Sequence, residues 1–171
     1  MDDAISSNQY RIRRAKESDV PHIIQMRMEL ESYLDTCNPN LWHVSPDQMN
    51  SIEQKYQESI FDSRYMILVV VDEETSEIIG MATGRIIHHE MFMHKITGKI
   101  DDVWIDTNHR HKGLCRRLIQ EICIFFKHNG VKQLTLEYVS GNENAALVWQ
   151  KMGFEPVIII ANGYIDSIKN D

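Results

Sequence analysis

The chain has 171 residues, 43% of them apolar and 25% charged, and carries a formal net charge of −7. That length suits a single domain over residues 1–171, large enough to bury roughly 70% of the surface its unfolded form exposes. The acidic balance argues against general binding to nucleic acid or to an anionic membrane, since both require a basic surface.

Tyr10 to Arg14 predicts a first strand. A helix is expected over Val20 to Leu34, with Ser18 or Asp19 as its cap and Pro21 in its first turn. Val20, Ile23, Ile24, Leu30 and Leu34 fall on one face of it. A second helix is expected to start at Ser45, because Ser45-Pro46-Asp47-Gln48 joins a capping Ser, a first-position Pro and a Gln able to bond back. Met49, Ile52, Tyr56 and Ile60 form its stripe. Tyr65 to Val71 is short and rich in Val and Ile, which predicts a strand. After the polar turn Asp72 to Glu77, Ile78 to Ile87 is expected to be its hairpin partner. Lys99 to Ile105 predicts another strand, and Gly113 to His128 a strong helix with Leu114, Leu118, Ile122 and Phe125 on one face. Asn129-Gly130 stops that helix. A strand over Leu134 to Val139, a short helix from Asn144 to Met152 and a last strand from Phe154 to Ile160 complete the pattern. A right-handed β-α-β crossover should join the strands at 99–105 and 134–139. The fold class is α/β (α+β) with a mixed sheet.

The opening MDDAISSNQY is acidic and polar, so no signal peptide is expected, and the longest purely apolar run, Met66 to Val71, is far short of a membrane span. Cys37, Cys115 and Cys123 show no paired spacing. This odd count predicts reduced thiols and a cytoplasmic protein.

The start of the helix at Gly113 is where chemistry concentrates. Arg110, Lys112, Arg116 and Arg117 place four fixed positive charges within eight residues, with His109 and His111 interleaved. A helix N-terminus already carries about half a positive charge, so each cation there costs roughly 0.3–1 kcal/mol unless an anion sits nearby. Free backbone amides at such a start, behind a strand and a glycine turn, form an anion site. From charge alone a solvated basic patch accounts for the cluster equally well.

Arg110-His111-Lys112-Gly113-Leu114-Cys115 resembles the pyrophosphate loop of the GNAT (GCN5-related N-acetyltransferase) superfamily, Q/R-x-x-G-x-G/A. Asn142-Glu143-Asn144-Ala145, followed by Trp149 and Gly153-Phe154, is similar to that family's N-x-x-A-x-x-x-Y-x-x-x-G-F. Ile100-Asp101-Asp102-Val103-Trp104-Ile105-Asp106 looks like the I-E-D strand of its small-molecule members. The order agrees over the motif core, residues 99–154. The resemblance implies the GNAT fold: a central, mixed, mostly antiparallel sheet flanked by about four helices.

The resemblance also implies acetyl-CoA as co-substrate and no metal. The strands at 99–105 and 134–139 would splay apart, with main-chain groups near Trp104 and Ile105 pairing with the pantetheine. Amides from His111 to Arg116, including Lys112, Leu114 and Cys115, would cradle the pyrophosphate, with Gly113 allowing close approach. Asn142 and Trp149 complete the cofactor set by the same resemblance. An amine would then attack the thioester directly, with Asp101 taking its proton through a bridging water and Asp102 beside it. In regular strand geometry adjacent residues point to opposite faces, so at most one of these two carboxylates is expected to face a shared cleft, and a purely structural role explains the other as well. Trp149 stands where many members have a Tyr that protonates the departing thiolate; an indole N–H is a donor only, so slower or water-assisted turnover is expected. Cys115 stands where the loop has Gly or Ala; beside Arg and Lys at a helix start, its thiol is expected to be the most reactive of the three.

Glu29, Glu31 and Asp35 lie near the end of the first helix. Glu29 and Asp35 are candidates for attracting a cationic acceptor, although a solvated helix face explains them as well. His89-Glu90-Met91-Phe92-Met93-His94 approaches the zinc motif H-E-x-x-H, but its second His is one residue late, about 140° round a helix. Loop histidines account for it better. The function expected is N-acetylation of a small, cationic primary amine in a ternary complex. The alternatives are a non-catalytic CoA-binding or regulatory module, motivated by Trp149 and Cys115, and a protein N-terminal acetyltransferase. The latter branch's V-R-x-S-N reads Val139-Ser140-Gly141-Asn142 here. Dimers are common in the family, so a homodimer is one expected assembly.

Overall fold

The computed structural model describes residues 9–40, 45, 48–91, 93 and 95–168, with Met49 described by its backbone alone. Among the described residues, five strands form one sheet in the order β1-β2-β3-β4-β5. They are β1 (Tyr10–Arg14), β2 (Tyr65–Asp72), β3 (Ile78–His88), β4 (Ile96–Ile105) and β5 (Leu134–Leu136). All neighbours are antiparallel except β4 and β5, which run parallel. Four helices among the described residues flank the sheet: α1 (Val20–Cys37), α2 (Met49–Phe61), α3 (Leu114–His128) and α4 (Glu143–Lys151). A mixed, mostly antiparallel sheet with four helices is the architecture the sequence predicts.

Both faces of the sheet are covered, which explains the unbroken apolar run of β2. Ile67, Val69 and Val71 face the cluster holding Val20, Ile23 and Met26 of α1 and Tyr56 of α2. Leu68 and Val70 face Leu118, Ile122 and Phe126 of α3, a cluster that also takes Trp149 of α4. Burying each such aliphatic or aromatic side chain stabilises the fold by about 1.5–3 kcal/mol. The sheet makes room for α3 with Gly98, where a Cβ would come within 2.8 Å of the Phe126 ring.

Several boundaries differ from expectation. β4 begins three residues earlier than Lys99, and α1 runs on to Cys37 rather than stopping at Leu34. Pro46 and Asp47, part of the expected cap of α2, lie outside the described residues, as does His94 of the H-E-x-x-H look-alike. β5 stops at Leu136, not Val139, and the expected strand over Phe154 to Ile160 is absent. Val157, Ile158, Ile159 and Ile160 are each at least 70% exposed. A strand needs a neighbour to pair with, and β5 offers only three residues of edge.

Candidate active site

The short β5 opens the sheet. The ladder between β4 and β5 runs from Gly98↔Leu134 to Ile100↔Leu136 and ends there. From Asp101 to Ile105, β4 keeps only β3 as a neighbour among the described residues. The two parallel strands therefore part halfway along β4, as the splayed gap requires. The Lys99 ammonium, 2.7 Å from the Glu137 carboxylate, bridges the strands where they separate.

A β-bulge in β4 sits at the fork. Ile100 pairs with Gly84 and Asp102 with Thr83, so Asp101 is the extra residue. Apolar side chains show the resulting change of parity: Ile96 and Ile100 pack on the α3 side, and after the bulge Val103 and Ile105 do. Asp101 and Asp102 thus escape the alternation that would send them to opposite faces. Both line one cleft of about 270 Å³ together with Arg27, Tyr56, Thr83 and Glu137. This corrects the expectation that at most one of them faces a shared cleft.

The two carboxylates have different partners. Asp101 Oδ2 accepts from Arg85 Nε at 2.7 Å, and Asp102 is gripped from two helices. Arg27 Nε of α1 lies 3.1 Å from Asp102 Oδ1, and the Tyr56 hydroxyl of α2 donates to Oδ2 at 2.7 Å. Burial and the Asp102 charge hold the Tyr56 phenol well above its ordinary value, so it remains a donor. Burial opposes the Arg27 charge, but Asp102 and Glu31 outweigh it and its pKa is raised. Arg27 Nη1 is nevertheless buried with no hydrogen-bond partner.

At the end of β4 the chain turns through a short 3-10 segment, Thr107–His109, into the loop before α3. His111 and Gly113 both have left-handed backbones, with φ of 61° and 72°. Gly113 is the N-cap of α3 and brings no side chain to the first-turn amides. The amides of Leu114, Cys115 and Arg116 are therefore left without intrahelical acceptors. A Cβ on Gly113 would meet nothing within 4 Å, so the space in front of that turn is open. These features fit a diphosphate: oriented amides, a positive helix end and room for close approach.

Three cations of the cluster already have partners within the fold. Arg110 Nε donates to Ile105 O at 3.0 Å, and its guanidinium lies 4.5 Å from the centroid of the Trp104 ring. Lys112 Nζ donates to the Tyr10 hydroxyl at 2.7 Å, and Arg117 Nη2 to the Tyr10 carbonyl at 3.1 Å. Arg116 is exposed on the first turn of α3. Part of the basic cluster thus fastens the loop to the sheet, which relieves some of the repulsion expected at a helix start.

Other candidates take structural positions. Asn142 caps α4, its Oδ1 accepting from Ala145 N at 3.1 Å and from the Tyr33 hydroxyl at 3.3 Å. Trp149 is 8% exposed and packs edge-on against Phe154. Glu29 Oε2 accepts from the Trp104 indole at 3.1 Å, and Asp35 is half-buried near the end of α1. Cys115 overturns the reactivity expectation: burial outweighs the Arg116 charge and pushes its thiol up to about 11. His89 Nε2 sits 2.7 Å from Thr97 Oγ1.

Four residues of the site escaped the sequence reading as functional positions: Tyr10, Arg27, Tyr33 and Tyr56. Arg27 had a signal, because it continues the spacing Val20, Ile23, Leu30, Leu34 as a charge on the buried stripe. In the sequence Tyr56 reads only as part of an apolar stripe. Nothing local marks Tyr10 or Tyr33, whose partners are remote in sequence.

Comparison with known proteins agrees with this geometry. No curated protein sequence matches. Among solved structures, a tetramutant of the BH1408 protein of Bacillus halodurans superposes with a TM-score of 0.78 at 17% identity, over 91% of this chain and 99% of that one. An aminoglycoside acetyltransferase from an uncultured soil metagenomic sample gives 0.66 at 18% identity, over 95% and 99% of the two chains. A predicted acetyltransferase with acetyl-CoA from Clostridium acetobutylicum gives 0.73 at 13% identity, over 94% and 99%. At such identities these likenesses bear on the fold. The profile of the Acetyltransferase (GNAT) family, however, matches residues 27–154, which hold the fork, the bulge and the amide turn, and the chain belongs to that family.

Proposed function

We propose that this protein transfers an acetyl group from acetyl-CoA to the primary amine of a small, cationic acceptor, by direct attack within a ternary complex. The observation that carries the reading is the β4 bulge, which puts two carboxylates in one cleft where β4 and β5 part. The open β4 edge suits the extended pantetheine arm, whose amides can pair with it as a further strand would. The uncapped turn from His111 to Arg116 suits the diphosphate. Acetyl-CoA supplies the activated acyl group; the chain's own residues hold it, orient the amine and accept its proton.

Asp101 is the candidate base, through a bridging water, because it lines the cleft at the fork and Arg85 engages one of its two carboxylate oxygens. Asp102, locked by Arg27 and Tyr56, fixes the shape of the cleft and the charge beside Asp101. The cleft lining is charge-balanced, with Arg27, Lys55 and Lys99 against Asp101, Asp102 and Glu137. Preference for a cation therefore rests on the overall charge of −7, which draws cations to the surface. Glu29, occupied on Trp104, supports the wall of the site more directly than it recognises an acceptor. Buried Trp149 offers no acid for the thiolate, so water is the proton source.

A panel of polyamines, amino sugars and amino acids, followed by thiol release from acetyl-CoA, tests the reading. A cationic amine should be preferred, and added salt should raise its KM, since steering is screened over about 8–10 Å near physiological ionic strength. A neutral or anionic preferred acceptor would overturn the cationic assignment, and thiol release from no amine would favour a CoA-binding regulatory module.

A further inference from the structure

Tyr10 lies outside the family match at 27–154, yet three residues of the turn before α3 and its first helical turn converge on it. It is 2% exposed at the start of β1. Its hydroxyl accepts from Lys112 Nζ at 2.7 Å and sits 3.2 Å from His109 Nδ1. The Lys112 ammonium also lies 5.3 Å from the Tyr10 ring centroid, and the His109 ring meets Tyr10 edge-on at 5.8 Å. Arg117 holds the Tyr10 carbonyl. The edge strand β1 therefore pins the loop through one side chain about a hundred residues away.

A lysine ammonium has three hydrogens on a long, flexible stem. Left alone, Lys112 would sample many rotamers and lose that freedom on meeting an anion. Here one hydrogen is taken by Tyr10 and the stem is already ordered. Ordering before binding lowers the entropic cost of binding. We propose that Tyr10 is a positioning residue for CoA: its hydroxyl fixes the Lys112 ammonium beside the amide turn, with two hydrogens left for the diphosphate. The proposal rests on the reading that residues 110–116 take that diphosphate.

The test is calorimetric titration of CoA into the wild type, Tyr10→Phe, Lys112→Met and the double variant. Tyr10→Phe keeps the buried ring, and far-ultraviolet circular dichroism and the melting temperature verify the fold. Each single substitution should raise the Kd for CoA by about three- to tenfold. The double variant should be no weaker than Lys112→Met alone, because both remove one interaction. Tyr10→Phe should leave the calorimetric Kd of pantetheine, which lacks the diphosphate, unchanged. Additive losses, equal losses for pantetheine, or tighter CoA binding by Tyr10→Phe would each overturn the proposal. A wild type that does not bind CoA would instead remove the diphosphate reading beneath it.

Discussion

Replacing Asp102 by Asn removes a charge that two helices share. Its carboxylate takes Arg27 Nε at 3.1 Å and the Tyr56 hydroxyl at 2.7 Å, and the Arg27 and Asp102 side chains are only 19% and 17% exposed. Breaking a fully buried ion pair costs about 3–5 kcal/mol. Partial exposure and the remaining Glu31 partner of Arg27 reduce this to about 2 kcal/mol. For a chain of this size that lowers the melting temperature by about 4–8 °C. Asp101 sits in a more open pair with Arg85, 23% and 33% exposed, worth about 0.5–1 kcal/mol. Asp101→Asn should therefore barely move stability while lowering kcat by about 10²–10⁴. Urea unfolding and saturating kinetics on the two variants separate the roles. A loss below about 0.5 kcal/mol in Asp102→Asn would refute the locked-carboxylate argument. Near-wild-type kcat in Asp101→Asn over about pH 6–9 would place the base elsewhere.

Gly113→Glu should abolish CoA binding in a folded protein, since its Cβ meets no atom within 4 Å and only the left-handed backbone is strained, by about 1–2 kcal/mol; unchanged affinity by calorimetry would move the diphosphate elsewhere. Cys115, with its thiol pushed up to about 11, should hold only about 0.1% thiolate at pH 8 and alkylate slowly until the pH nears that value. Mass-mapped labelling checks this, and rapid modification at neutral pH would contradict it. Asp19 receives Arg13 Nη1 and Nη2 at 2.6 and 3.0 Å and Lys16 N at 2.7 Å. The Arg13 bond leads in holding its carboxyl below the usual range. Its folded pKa lies below the unfolded one, so its stabilisation is present above about pH 4 and is lost as pH falls through both values. Asp19→Asn should cost about 1.5–3 kcal/mol at pH 7 and flatten the acid limb of the stability curve; an unchanged acid limb would contradict this.

The helices and the first four strands were legible because their apolar periods are long and local. The fork was less so. β5 was expected to reach Val139, but strand length depends on the neighbouring edge, and pairing fails beyond Leu136. The same dependence defeated the strand over Phe154 to Ile160, whose β-branched run finds no ladder to join. Strict alternation through β4 divides Asp101 from Asp102, whereas register against β3 makes Asp101 the extra residue of a bulge between Ile100 and Asp102. The only local trace was the step of three between Ile100 and Val103. The amide turn was recognised from its glycine and its neighbours in sequence. The engagement of Lys112 and Arg117 with Tyr10 was not, because contacts across about a hundred residues leave no periodic mark. Cys115 shows the limit of arguing from a helix terminus: desolvation under the packed first turn outweighs adjacent positive charge.

The central claim is amine-dependent acetyl transfer, and its most direct test is to incubate the protein with acetyl-CoA in the presence and absence of the panel's best cationic amine. Free thiol and acetylated amine should appear together in one-to-one amounts, with little thiol when the amine is withheld. Thiol release that ignores the amine, or acetyl-CoA binding with no product from any amine, would contradict the account.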